Sequence, residues 1–226
     1  VSINFIPETQ GIREYTVTVA PVDGPEPIME NNLQSRIVEV QDRVAKILYI
    51  EGEPRWEYKF LRRAVEDDKS VHVVSVLRTS QNKFYRQGID NPKDLATGIP
   101  STKELFQYDG LVLGSIQASF FSPEQQRSIY EFVSRRGGGL LLLGGRFAFA
   151  EGGYQASTLA DLLPVNLDAR GAAPTFHRLP ARFRMTARGL ERIQIATGTD
   201  ADDSTGQKAW DKLPQLANYQ STGKPK

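Results

Sequence analysis

The sequence predicts an α/β domain built on a mostly parallel sheet with helices on both faces, preceded by the end of an antiparallel β unit. Three observations lead there. Short apolar runs such as residues 108–115 (YDGLVLGS) and 138–145 (GGLLLLGG) read as strands buried on both faces. Segments with helical spacing of apolar residues separate these runs, and that alternation implies parallel strands joined by covering helices. The first forty or so residues follow another rhythm, in which β-formers alternate with polar residues around a Pro/Gly-rich stretch (PVDGPEP).

Taken in order, residues 15–20 (YTVTVA) and 36–40 (RIVEV) are alternating strands, with turn chemistry at Glu30, Asn31 and Asn32. Two or three strands bury no core alone, so residues 1–42 are expected to be the C-terminal strands of an immunoglobulin-like β-sandwich. Residues 43–226 are expected to form the α/β domain. In it, residues 45–50 (AKILYI) form a buried strand, and Pro54 suits the first turn of the helix that follows. Trp56, Phe60, Leu61, Ala64 and Val65 mark that helix's apolar face, with Glu57, Arg62 and Arg63 opposite. Residues 71–77 (VHVVSVL) are the next strand. A long polar stretch at 78–102, expected to be a loop folded over the sheet edge, leads to a short helix at 103–107 and the strand at 108–115. Ser122, Pro123 and Gln125 form a capping box with Pro at the first helical position, and Ile129, Phe132 and Val133 supply the buried face. Glycines 137–139 end this helix, and residues 140–143 are a fully buried strand. Further on, residues 183–185 and 193–196 are candidate strands, and 200–205 is a solvated acidic loop.

Composition narrows the function classes. The chain of 226 residues is 39% hydrophobic and 24% charged, values of an ordinary globular protein. Its 28 basic and 27 acidic residues leave no nucleic-acid footprint, and Arg62-Arg63 and Arg135-Arg136 read as solvated helix faces. With no cysteine, disulfides, thiolate metal sites and thiol catalysis are excluded. The two histidines, His72 in a strand pattern and His177 in a loop, are not spaced for a metal or a dyad. Asp200, Asp202 and Asp203 lack the closing Glu of a calcium loop. No metal and no cofactor are therefore expected. No apolar run is long enough to span a membrane. The chain opens mid-pattern at Val1 and ends in a polar tail, so it is expected to be a fragment truncated at the C-terminus of its α/β domain.

In open α/β sheets, ligands sit beyond the carboxyl ends of the strands. That edge receives Glu51, Glu53, Arg55 and Trp56 after the first strand of the α/β domain, and Arg78, Thr79, Ser80, Asn82, Lys83, Tyr85 and Arg86 after the second. Gly114 and Ser115 follow the third strand, and Gly145, Arg146, Glu151 and Tyr154 follow the fourth. Of these, Arg55, Trp56, Arg78 and Arg146 are expected to converge on one cleft. Two readings stand side by side. In one, Glu51, Arg55, Arg78 and Arg146 form ion pairs that brace the loops. In the other, Glu51, Arg55, Trp56, Arg78, Ser80, Lys83, Arg86, Gly114, Ser115, Gly145, Arg146 and Glu151 line a pocket for a small anionic or peptide ligand, since arginines clamp carboxylates bidentately. Ser115 and Ser119 lack the Gly-x-Ser-x-Gly elbow of a serine hydrolase, and no catalytic residue is assigned.

The order strand, YDGLVLGS, helix, GGGLLLLGG resembles the class I glutamine amidotransferase-like fold, a flavodoxin-like sheet. In that family an Asp-Gly-(apolar)₃ strand ends in residues that help form the oxyanion hole, and a later turn carries Gly-x-Cys-x-Gly. Asp109-Gly110-Leu111-Val112-Leu113-Gly114 matches the first element, and Leu143-Gly144-Gly145-Arg146 falls at the second, with Gly145 or Arg146 at the Cys position. Residues 47–64 (ILYIEGEPRWEYKFLRRA), 77–88 (LRTSQNKFYRQG), 120–126 (FFSPEQQ) and 132–154 (FVSRRGGGLLLLGGRFAFAEGGY) are similar to a group of bacterial membrane-associated proteins that often carry a von Willebrand A-type domain. The resemblance spans roughly residues 45–165. It implies an extracytoplasmic (periplasmic) domain of a membrane-anchored protein that lacks the catalytic Cys. The expected role is ligand binding or interaction with other domains of the parent protein. An amide hydrolase with an unconventional nucleophile and a structural spacer are the alternatives.

Overall fold

The computed structural model of the protein describes residues 5, 7, 9–20, 24, 32–40, 43–81, 83–89, 99–167, 174–187, 189 and 210–226. The chain divides into two compact units, Val1–Val44 and Ala45–Lys226. In the first, β1 (Gly11–Thr18) and β2 (Leu33–Val40) form an antiparallel ribbon in register from Gly11 opposite Val40 to Thr18 opposite Leu33. Thr16 and Ser35 share a 2.8 Å hydrogen bond across it, and the Phe5 and Tyr15 rings meet at 4.6 Å. Ile12 and Ile37 remain exposed, as expected of two strands with no layer beneath them.

The second unit holds a mixed α/β arrangement. Its strands are β3 (Ala45–Glu51), β4 (Val71–Ser80), β5 (Lys83–Gln87), β6 (Gly110–Leu113) and β7 (Gly139–Leu142), in the spatial order β5-β4-β3-β6-β7. β4, β3, β6 and β7 run parallel, and β5 is antiparallel at one edge. Alternation along β3 divides the core. Leu48 and Ile50 face a layer with Leu105, Ile129 and Phe132, while Tyr49 faces Tyr58. Helices α2 (Thr102–Leu105) and α3 (Pro123–Ser134) cover the first face and α1 (Trp56–Ala64) the second.

The start of α3 follows from its sequence. The Ser122 side chain accepts from Gln125 N, the Gln125 side chain accepts from Ser122 N, and Pro123 occupies the first turn. Ser101 and Glu104 build the same box at α2. At the far end of α3, Gly137 takes φ 76° and Gly138 N donates to Phe132 O, which turns the chain into β7. Asp109 ties these pieces together by accepting from Lys46 N and pairing with Arg136.

Four expectations are corrected. The strand at 140–143 is not buried on both faces: β7 lies at the edge of the sheet, and Leu141 is 49% exposed. Helix α1 does not bury the face marked by Trp56 and Phe60. It buries Tyr58, whose hydroxyl bonds Ser75 Oγ, and Trp56 is left 67% exposed. The stretch after Arg78 begins as an edge hairpin, with Ser75 opposite Gln87 and Ser80 opposite Lys83, not as a structureless loop. Residues 183–185 form no strand, whereas His177, read as a loop residue, lies in β8 (Phe176–His177), antiparallel to β9 (Tyr219–Gln220). Glu30, Asn31, Asn82, residues 90–98 of the polar stretch, the candidate strand at 193–196 and the acidic loop at 200–205 lie outside the described residues. Among the described residues, no helix is long and apolar enough to cross a membrane.

Candidate functional site

Parallel strands deliver their carboxyl ends to one edge, and the chain reverses its stepping direction between β3 and β6. That crevice is where an open α/β sheet binds ligands. Here the side chain of Glu51 fills it. Glu51 is fully buried, and its Oε2 accepts from the Tyr49 hydroxyl at 2.6 Å and from Arg55 Nε at 2.9 Å. Its Oε1 accepts from Gly52 N at 3.0 Å and from Ser115 N at 2.8 Å. Burial and the neighbouring Glu51 charge push the Tyr49 hydroxyl well above its usual pKa, so it stays a donor. A buried carboxylate needs this many donors to offset its lost hydration.

A second carboxylate extends the network outward. Glu53 Oε1 accepts from Ser115 Oγ at 2.6 Å, and Glu53 Oε2 accepts from Arg146 Nε at 2.6 Å. Ser115 Oγ accepts in turn from Phe147 N at 3.2 Å. Arg55 Nη1 donates to Gly144 O at 2.7 Å, which links the end of β3 to the turn after β7. Arg78 Nε donates to Gly52 O, and its Nη2 donates to Gln117 Oε1.

Glu51, Arg55, Arg78, Gly114, Ser115, Gly145 and Arg146 therefore gather within one bonded cluster. Their polar groups are turned on one another, in the bracing arrangement of the two read from the sequence. Only Arg146 keeps substantial exposure, with half its side chain in solvent over the Phe147 ring. Trp56 does not join the cluster. It starts α1, stacked on Phe60 with Lys59 over its ring. Ser80 and Lys83 sit exposed in the β4–β5 hairpin and Arg86 lies in β5, so these three belong to the sheet's outer edge. The lid expected over the cleft is reduced to one docked aromatic: Phe84 packs on Phe120 while Tyr85 stays exposed.

Two glycines show how full the site is. A Cβ on Gly114 would collide with the Glu51 carboxylate. One on Gly145 would lie 2.6 Å from Ser115 Cβ and Oγ and 3.1 Å from Arg55 Nη1. Neither position accommodates a reactive side chain without moving buried charge.

Glu151 organises a separate set of contacts beyond β7. It accepts from Thr175 N at 2.6 Å, Thr175 Oγ1 at 2.5 Å, Phe176 N at 2.8 Å and Gln220 Nε2 at 2.5 Å. Burial raises its pKa, but hydrogen bonds from the Thr175 hydroxyl and backbone N–H groups outweigh that and hold it below the ordinary carboxylate range. Gln220 also spans to the turn: its Oε1 accepts from Gly145 N at 3.0 Å, and its Nε2 donates to Ala148 O at 3.0 Å. Neither Thr175 nor Gln220 stands out in the sequence. Each is an isolated polar residue far along the chain from Glu151, with no motif to join them. On the other side of the turn, a cavity of about 300 Å³ is lined by Gln117, Ser119, Gln126, Gly153 and Gln155.

Against protein families, characterised proteins and solved structures, the chain finds no match.

Proposed function

We propose that this chain is a non-catalytic, flavodoxin-like domain of the class I glutamine amidotransferase-like type, which binds a ligand or a protein partner at the carboxyl edge of its sheet. The observation that carries this reading is the Glu51 carboxylate, which takes the Ser115 N–H and fills the space beside Gly114. In the resembled family, the residues after that strand help stabilise an oxyanion. An N–H already bonded to a buried carboxylate offers nothing to a developing negative charge. The crowding at Gly145, where the family's nucleophile turn falls, points the same way. The cavity lined by Gln117, Ser119 and Gln155, together with the half-exposed Arg146, supports a binding role over that of a passive spacer. Placement in the extracytoplasmic part of a bacterial membrane protein, after the last strands of a β-sandwich, rests on the four quoted motifs and the alternating pattern of the first 42 residues.

The test is ammonia release from glutamine by the purified chain, followed with a coupled dehydrogenase assay. The expected result is the rate of the buffer blank. Release above the blank that Ser115→Ala abolishes would overturn the reading in favour of an amide hydrolase.

A further inference from the structure

We infer that the turn after β7, together with β8, is a receptor for an extended strand carrying a glutamine side chain, and that Gln220 of this chain occupies it in cis. The inference deepens the binding role proposed for the carboxyl edge and rests on that reading. A primary carboxamide has one accepting oxygen and an NH₂ that donates twice. All of this is answered around Gln220. Gly145 N–H donates to Oε1, and Ala148 O and the Glu151 carboxylate accept from Nε2. The partners fix which atom is oxygen and which is nitrogen. They also separate an amide from an acid, because a glutamate at this position would bring a second carboxylate against Glu151.

The main chain adds the rest of the recognition. Gln220 pairs with Phe176 and Tyr219 with His177 in the β8–β9 ladder, and Ser221 N donates to Thr175 O. The Tyr219 ring stacks on His177 at 4.8 Å. Main-chain hydrogen bonds for affinity and a side-chain socket for identity are the two parts of strand-addition recognition. The segment that follows is registered as well: Gly223 N donates to Asn166 O at 2.8 Å, and Asn166 N donates to Lys224 O at 2.9 Å. A tethered occupant works at an effective concentration on the order of millimolar. A partner strand in trans therefore meets a closed site until the cis strand is displaced, and weakening the cis strand uncovers the site's intrinsic affinity.

The experiment uses the full chain as wild type, Gln220→Ala and Gln220→Asn, whose shorter side chain cannot span from Glu151 to Gly145. The probe is a fluorescein-labelled peptide of residues 218–223 (NYQSTG), with Ala or Glu versions at its Gln, read by anisotropy. Hydrogen exchange at the Gly145 amide is measured alongside, and amide protection in β3 and β6 confirms that the core is folded. Both variants should bind the Gln peptide at least tenfold more tightly than wild type and lose at least tenfold when its Gln is replaced. Gly145 exchange should accelerate in the variants and slow again with bound peptide. Unchanged Gly145 exchange, or equal binding of the Ala peptide, overturns the socket. Exposed Gly145 with no peptide bound, or variants that assemble into dimers by exchanging their own C-terminal strands, overturns the partner strand while leaving the non-catalytic reading intact. Ammonia release from glutamine by any variant would break that reading, whatever the peptide does.

Discussion

Glu51 and Glu151 are both carboxylates ringed by donors, yet they do different work. Glu51 draws on Tyr49, Gly52 and Arg55, all within four residues, and on Ser115 from the neighbouring strand. It lies in the sheet's crevice with no exposed surface. Glu151 sits in a turn, keeps some contact with solvent, and draws its donors from Thr175, Phe176 and Gln220. The first carboxylate stabilises the folded sheet against unfolding, and the second fastens a later segment onto a sheet that is already complete. A buried acid at a strand end is therefore not by itself a sign of chemistry, and the origin of its donors tells a keystone from a fastener.

The largest effect should come from Glu51→Ala. It strips partners from the Arg55 guanidinium, the Ser115 and Gly52 N–H groups and the Tyr49 hydroxyl at once. Breaking a buried pair in this way costs about 3–5 kcal/mol. For a chain of this size that corresponds to a fall in Tm of roughly 10 °C or more, at 2–4 °C per kcal/mol. Circular dichroism melts check it. A change below about 2 °C would remove Glu51 from the role of keystone and dissolve the contrast with Glu151.

A smaller, pH-dependent effect should mark Glu151. Its pKa in the folded chain is below the ordinary value of about 4.3. Its contribution is thus complete above that ordinary value and is lost as pH falls through the lower folded one. The groups that face it are Thr175, Phe176, Gln220 and Ala148, all neutral. The nearest titratable side chain on the same strand, His177, is engaged with Tyr219 and Ser221. Protection of the Gly145 amide should therefore hold from pH 7 to about 5 and fall in stronger acid, while β3 and β6 stay protected. In Glu151→Gln, that local loss should no longer follow pH. If Gly145 and the core lose protection together, the fastener is part of the keystone's cooperative unit.

Much of the frame was legible because its signals are local. The Ser122–Gln125 box announces α3, and the apolar runs of β3 and β6 announce buried parallel strands. What failed depended on neighbours. The run LLLL reads as buried on both faces, but only its place beside β6 and nothing beyond decides that Leu141 is exposed. Lys83–Gln87 alternates too weakly, amid polar residues, to stand out as a strand. The crevice residues Glu51, Arg55 and Ser115 could be placed at one edge from strand ends alone, since parallel strands share their polarity. Gln220 could not, because its partners Gly145, Ala148 and Glu151 are joined to it by folding and not by spacing.

The smallest effect should come from Trp56, which helical spacing assigns to the buried face of α1. The helix turns otherwise because Tyr58 satisfies two needs there. Its ring meets Tyr49 at 5.4 Å, and its hydroxyl reaches Ser75 Oγ at 3.0 Å and Gln87 Oε1 at 3.1 Å. Arg62 reinforces the same rotation by donating to Ser75 Oγ at 2.7 Å. Trp56 is left 67% exposed, held only by its stack on Phe60 and by Lys59 over its ring. Little apolar area returns to water when such a side chain is truncated, and exposed substitutions of this kind usually stay within about 0.5 kcal/mol. Trp56→Ala should therefore shift Tm by no more than about 2 °C, while Tyr58→Phe, which keeps the ring and removes the hydroxyl, should cost about 1 kcal/mol. A large loss in Trp56→Ala would mean that the helix buries the face its spacing marks, and the assignment of Tyr58 as the anchor of α1 would fall with it.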